Sequence, residues 1–308
     1  MMDRRIKFRH LQTFIEVARQ KSVGKAADVL TITQPAVTRT IRELEDYLGA
    51  TLFEREGRGI RISPFGDVFL KHAGESIAAV RRGVDSIARA KHSVGPPLRI
   101  GALPTASASL MPGAIAEFLK AGTGSRATIV TGENRWLLDA LRMGELDLVV
   151  GRLAAAERMT GLHFEPLYSE DVVFVVRSGH PLLRRASFSL AEIVNYTVLL
   201  PTPGSVIRPF VDRLLLTNGI GELANVVETV SDSFGRAFVE GHDAIWIISR
   251  GVVASEIDAA RFGVLDVDTR ETRGAVGLTT RSGEPPSLAL SILMATIRDR
   301  VRQTRRNL

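Results

Sequence analysis

The sequence contains no cysteine, which excludes disulfides, thiolate metal sites and cysteine nucleophiles together and agrees with a reducing compartment. It also contains no apolar run of about 18 residues, so no membrane-spanning helix is expected. The opening MMDRRIKFRH lacks the apolar stretch of an export signal, and the expected location is therefore the cytoplasm. Catalytic punctuation is missing as well. There is no GxxxxGK[ST], GxGxxG or GxSxG run, and the six histidines at 10, 72, 92, 163, 180 and 242 show no HxxxH or HExxH spacing. His242 and Asp243 are adjacent, so on a strand or turn they point apart, and His180-Pro181 reads as a turn. No enzyme activity, metal or cofactor is expected, and no internal repeat is visible. What remains is a chain of 308 residues, 45% hydrophobic and 6% aromatic, long enough for two or three domains with cores of their own.

The most informative segment is SVGKAADVLTITQPAVTRTIRELEDYL, residues 22–48. Val37, Ile41, Leu44 and Leu48 recur at helical spacing and form one apolar stripe. The opposite face carries Gln34, Pro35, Thr38, Arg39 and Arg42, the hydroxyl, amide and guanidinium types that reach base edges and phosphates. Thr33 is placed to cap this helix, with Pro35 in its first turn. Ser22 is placed to cap a preceding helix over 23–30, in which Ala26 and Ala27 permit a close crossing. Two short helices and a tight turn of this kind are a helix-turn-helix, although any small three-helix domain has similar faces. The run TLFEREGRGIRISPFG that follows predicts a two-stranded wing with its tip at Gly57 and Gly59, lined by Arg55, Arg58 and Arg61. Charge separates the halves. Residues 1–97 hold 17 Lys+Arg against 11 Asp+Glu, a net of +6, whereas 98–308 hold 23 against 23. A basic surplus beside the helix-turn-helix is what a polyanion needs, although such a charge also serves solubility.

Ser63-Pro64 reads as the start of a long helix ending near residue 92. Phe69, Ala73, Ile77, Val80, Val84 and Ile87 lie close to a heptad seam, which calls for a second copy as partner unless the helix packs on its own wing domain. SVGPP, residues 93–97, reads as a hinge. Beyond it, LRIGAL (98–103), ATIVT (127–131), LDLVVG (146–151), VVFVVR (172–177), TVLLP (197–201), NVVETV (225–230), AIWIIS (244–249) and AVGLTT (275–280) read as strands with helices between them. This predicts an α/β fold with mainly parallel sheets and ligands at strand ends. The candidate ligand residues are therefore Pro104, Thr105, Ala106 and Ser107, opening a helix that ends near Leu119, together with Thr131, Gly132 and Glu133, and with Arg152. Pro201, Thr202, Pro203, Gly204 and Ser205 follow a later strand, and Ser231 caps a further helix. Each alone is more often a cap or a surface residue, and it is the shared placement that favours a site. Arg152 follows the strand LDLVVG, where a bound carboxylate would pair with its guanidinium.

The arrangement RHLQTFIEVARQKSVGKAADVLTITQPAVTRTIRELEDYLGATLFER, followed by a wing and a long helix, resembles the amino-terminal domain of LysR-type transcriptional regulators. The resemblance implies an all-α winged helix-turn-helix over 1–63, a dimerisation helix over 64–92, the hinge at 93–97 and an effector domain over 98–308 like a periplasmic solute-binding protein. Its lobes would be about 98–167 with 269–308, and about 168–268, with a cleft between them and Arg152 expected at the mouth of that cleft, where its removal would leave the fold intact. By the same resemblance Gln34, Pro35, Thr38 and Arg39 contact DNA, with Ser22, Ala36, Arg42 and Arg61 completing the surface, and Arg58 reaches the minor groove. Thr105, Thr131, Arg152, Pro201 and Pro203 fall at or near effector-contact positions. The turn TIT lacks the glycine of many helix-turn-helix proteins. Implied partners are operator DNA, a second copy and a tetramer of copies, a carboxylate effector and, for an activator, RNA polymerase. Within the family, GALPT, VTGEN and DLVVGRL resemble the regulators of protocatechuate catabolism, which implies a muconate-type effector and activation of ring-cleavage genes. A regulator answering to a sugar or another aromatic acid is the alternative within the family. A solute-binding module without DNA binding is the alternative outside it, but it would need an export signal.

Overall fold

Helical spacing of apolar residues builds α1 (Phe8–Gln20), α2 (Val23–Leu30) and α3 (Gln34–Leu48) around Phe14, Val17, Ala26, Val37 and Leu44, each with no exposed surface. Burying each large apolar side chain contributes about 1.5–3 kcal/mol. In this computed structural model, which describes residues 5–57, 59–92, 97–185 and 188–306, Ser22 Oγ accepts the Lys25 N–H and Thr33 Oγ1 the Ala36 N–H, capping α2 and α3. The turn without glycine is made by Thr31 itself, at φ 56°, with its N–H bonded to the Ala27 and Asp28 carbonyls. A non-glycine residue there costs roughly 1–2 kcal/mol, which the buried helices on either side offset.

The wing is β1 (Phe53–Glu56) antiparallel to β2 (Gly59–Ile62), with Phe53 opposite Ile62 and Glu56 opposite Gly59. Arg58 and most of the 93–97 hinge lie outside the described residues. The long helix α4 (Pro64–His92) divides the seam expected of it. Phe69, Ala73 and Ile77 pack into the apolar cluster of α1 to α3, whereas Val80, Val84 and Ile87 are 51%, 61% and 62% exposed. The first half of the seam therefore serves the chain's own domain, and its second half is free for a partner.

The chain divides into two units, residues 1–94 with 139–146, and 95–138 with 147–308. In the second, one sheet runs in the order β4 (Ala127–Thr131), β3 (Leu98–Ala102), β5 (Leu148–Arg152), β12 (Gly274–Arg281), β6 (Leu162–Glu170). The other runs β11 (Phe262–Val264), β7 (Val172–Arg177), β10 (Ala244–Ser249), β8 (Thr197–Leu200), β9 (Val226–Glu228). Helices α5 (Pro104–Ser109), α6 (Met111–Lys120), α7 (Asn134–Arg142), α8 (Arg208–Thr217), α9 (Asp232–Gly241), α10 (Ala254–Asp258) and α11 (Leu288–Arg306) connect and flank them. The sheets are mixed, not mainly parallel: β12 is antiparallel to β5 and β6, and β7 to β10 and β11. Two of these strands, β6 and β11, escape sequence reading. β6 contains Pro166 and a register shift opposite Val276/Gly277, which break the alternation, and β11 is three residues long. The single helix expected after the first strand is two helices, α5 and α6, meeting at Leu110.

The chain passes between sheets twice, from Glu170 to Val172 and from Val264 to Gly274. Those crossings are tied together. Arg273 forms a two-pronged pair with Asp171, at 2.9 and 2.8 Å, and the Val172 N–H donates to Thr272 Oγ1 at 2.9 Å.

Candidate DNA-reading face and ligand cleft

Gln34, Pro35, Thr38, Arg39 and Arg42 line one groove along α3, the side opposite its buried stripe. Their freedom differs. Thr38 Oγ1 donates back to the Gln34 carbonyl at 3.1 Å, Ala36 is half-buried and Ser22 is engaged as a cap, whereas the Arg39 side chain is 82% exposed. Arg61 on the wing pairs with Glu54 at 2.6 Å. Two carboxylates that sequence reading left out, Glu43 and Asp46, line the same groove. Arg39, whose Nε donates to Glu43, holds that carboxyl below its ordinary range.

In the second unit the two lobes enclose a cavity of about 60 Å³, several times what a water requires. Pro104, Thr105, Gly132, Glu133, Arg152, Pro201 and Ser205 line it, so the strand-end residues do converge. Ala106, Ser107, Thr131, Thr202, Pro203, Gly204 and Ser231 are not among its lining residues. The Ser231 hydroxyl is spent on capping α9, and Gly204 lies so close to Glu133 that a Cβ would come 2.9 Å from its carboxylate. Most of the additional lining is apolar: Leu103, Val206, Ile207, Val230, Ile248 and Val252, with Asn134, Thr229 and Ser249. Polarity-led reading passes over such residues, because valines and isoleucines at strand ends look like core.

Arg152 is not at the cleft mouth. It is 5% exposed, and its Nη2 donates to two carbonyls at 2.6 Å, those of Glu170 and Thr272, one on each crossing. Nε and Nη1 are buried and have no acceptor among the described residues. Burial lowers its pKa, but a guanidinium stays charged at any physiological pH. Gly274 makes the approach possible, since a Cβ there would stand 2.5 Å from Nε. Below the arginine, the Glu170 carboxylate accepts from Thr105 Oγ1 at 2.7 and 2.9 Å and from the Gly251 N–H at 3.2 Å, joining the lobes a second time. Burial raises the Glu170 pKa and pushes the nearby Tyr168 hydroxyl up as well. A cation with two unsatisfied donors, facing a mostly apolar cavity, is an anion-binding geometry.

Comparison with known proteins accounts for both halves. Residues 8–67 match the family described as bacterial regulatory helix-turn-helix protein, lysR family, and residues 91–302 match the LysR substrate binding domain. The chain belongs to the LysR family of transcriptional regulators. Over 299 residues, 97% of this chain and 96% of the relative, it is 57% identical to the HTH-type transcriptional regulator PcaQ of Agrobacterium fabrum. Its fold matches a full-length OxyR variant from Pseudomonas aeruginosa with a TM-score of 0.59, 23% identity and 95% of each chain covered. It also matches full-length CbnR, solved with its target DNA, with a TM-score of 0.53, 24% identity, and 97% and 100% covered. In this LysR protein no described helix is long and apolar enough to cross a membrane, and no described cluster of His, Asp and Glu could hold a metal.

Proposed function

We propose that this regulator activates genes of protocatechuate catabolism from the cytoplasm on binding a muconate-type carboxylate in the cleft, without catalysing a reaction. The pathway rests on the 57% identity to PcaQ across nearly the whole of both chains. The ligand class rests on Arg152, a buried guanidinium whose Nε and Nη1, on opposite edges of the group, each keep a donor free among the described residues for a carboxylate oxygen, while the apolar wall accepts an unsaturated carbon body. Operator DNA is read by the exposed face of α3 from Gln34 to Arg42, presented twice by a dimer formed along the free half of α4. The test is a promoter reporter with calorimetric titration of carboxymuconate and of protocatechuate into the purified protein. Binding and activation with the muconate acid support the reading, whereas response to a neutral sugar alone would overturn it.

A further inference from the structure

A DNA-reading face has little evident use for a carboxylate, yet Glu43 stands in the middle of this one, one turn beyond Arg39 on α3. Its side chain is 25% exposed, and three groups converge on it: Arg39 Nε at 2.9 Å, Arg9 Nη2 from α1 at 3.3 Å, and His10 Nε2 at 3.5 Å. The histidine is wholly buried, and its Nδ1 accepts the Lys7 N–H at 3.1 Å. The neutral ring therefore carries its proton on Nε2, the nitrogen turned toward Glu43. Nε2 nevertheless makes no hydrogen bond to the carboxylate, which is held by the two arginines and in turn fixes Arg39 through Nε alone. The terminal nitrogens of Arg39 meet no acceptor among the described residues, on a side chain that is 82% exposed.

We infer that Glu43 is a positioning residue for sequence readout, presetting Arg39 so that its two terminal nitrogens meet guanine O6 and N7 end-on. This rests on the reading of Arg39 as a base-contacting residue. An arginine held in one rotamer loses less freedom on forming that fork than a free one does. The arrangement gives Glu43 two effects of opposite sign. Its charge repels every phosphate and weakens binding to any DNA. Its grip on Arg39 strengthens binding only where the right base waits.

The test uses the full-length protein and an operator that the wild type selects from a random-sequence pool, with affinities compared between that operator, single-base variants and random DNA. Glu43→Ala and Glu43→Gln are expected to bind random DNA more tightly. Both should lower the operator-to-random ratio, by roughly tenfold for alanine, and relax preference at the same base pair as Arg39→Ala. In an Arg39→Ala background, Glu43→Ala should change discrimination no further. If Arg39→Ala leaves discrimination unchanged, base reading by Arg39 fails and the positioning role falls with it. If Arg39→Ala lowers the ratio while the Glu43 variants tighten all DNA equally, or lower the ratio as much without Arg39, base reading stands and the positioning role is overturned. Thermal melts confirm that each variant is folded.

Discussion

At the scale of the residue, Arg152 carries two duties that its position after a strand did not reveal. Nη2 ties the Glu170 and Thr272 carbonyls, while Nε and Nη1 have no acceptor among the described residues and stay available to the proposed ligand. Arg152→Ala would leave two buried carbonyls without that donor, at about 1–3 kcal/mol each, so a lower melting temperature is expected alongside lost muconate binding. Arg152→Lys should regain part of the melting temperature but bind muconate much more weakly in calorimetry, since one ammonium cannot both tie the two carbonyls and donate to the ligand as the separate guanidinium nitrogens do. A lysine variant that binds like wild type would remove the guanidinium donors from the ligand site. Glu170 carries a different signature. Because burial raises its pKa, the folded protein holds that proton to higher pH than the unfolded chain does. The folded state should therefore lose stability as pH rises from the ordinary carboxylate value through the raised one, and Glu170→Gln should remove this component. Melting curves of the two proteins from pH 4.5 to 7.5 are expected to differ in slope in that direction, and parallel curves would show that Glu170 titrates normally.

Among the elements, α4 is where sequence and structure diverge most usefully. One periodic seam from Phe69 to Ile87 serves two partners, since Phe69, Ala73 and Ile77 complete the cluster of α1 to α3 while Val80, Val84 and Ile87 remain exposed. Periodicity reports which residues share a face but not what covers the face, and here the cover changes along the helix. We expect Val84→Glu to dissociate the dimer in analytical ultracentrifugation with little change in melting. Ile77→Glu should instead unfold the DNA-binding unit, and a monomeric wild type would refute the role given to α4. The same limit explains the effector half. Strands such as Val172–Arg177 and Ala244–Ser249 were legible because both are uninterrupted apolar runs, yet their antiparallel pairing was not, since direction leaves no mark on composition. Arg152 could be singled out by its place after a strand, but its burial depends on Gly274 and Thr272, some 120 residues away in the chain. The cap and buried stripe of α3 were legible because both fall within residues 33–48, whereas Glu43 and Asp46 went unread because exposed polarity does not say which side chains it meets.

At the scale of the whole molecule, the charges and the cleft define two tasks on separate stretches of chain. All of the net +6 belongs to residues 1–97, and residues 98–308 balance at 23 against 23. Salt should therefore weaken operator binding steeply while leaving muconate affinity much less affected, because only the former releases a counterion atmosphere. Regulation requires the tasks to be coupled, and a ligand shifts a conformational equilibrium only by its difference in affinity between states. Arg152 is suited to create that difference, since one guanidinium touches both the cavity and the two crossings. Whatever factor the effector imposes on operator affinity, the operator must impose on effector affinity. Titrating carboxymuconate with and without operator DNA measures that factor directly, and the expectation is a difference of roughly 5- to 150-fold, the usual range for such coupling. Arg152→Lys should bring it close to one even at effector concentrations high enough to saturate the variant. If the variant binds more weakly but keeps the full coupling factor, Arg152 anchors the ligand without transmitting its presence, and the paired crossings at Asp171 and Arg273 become the place to look.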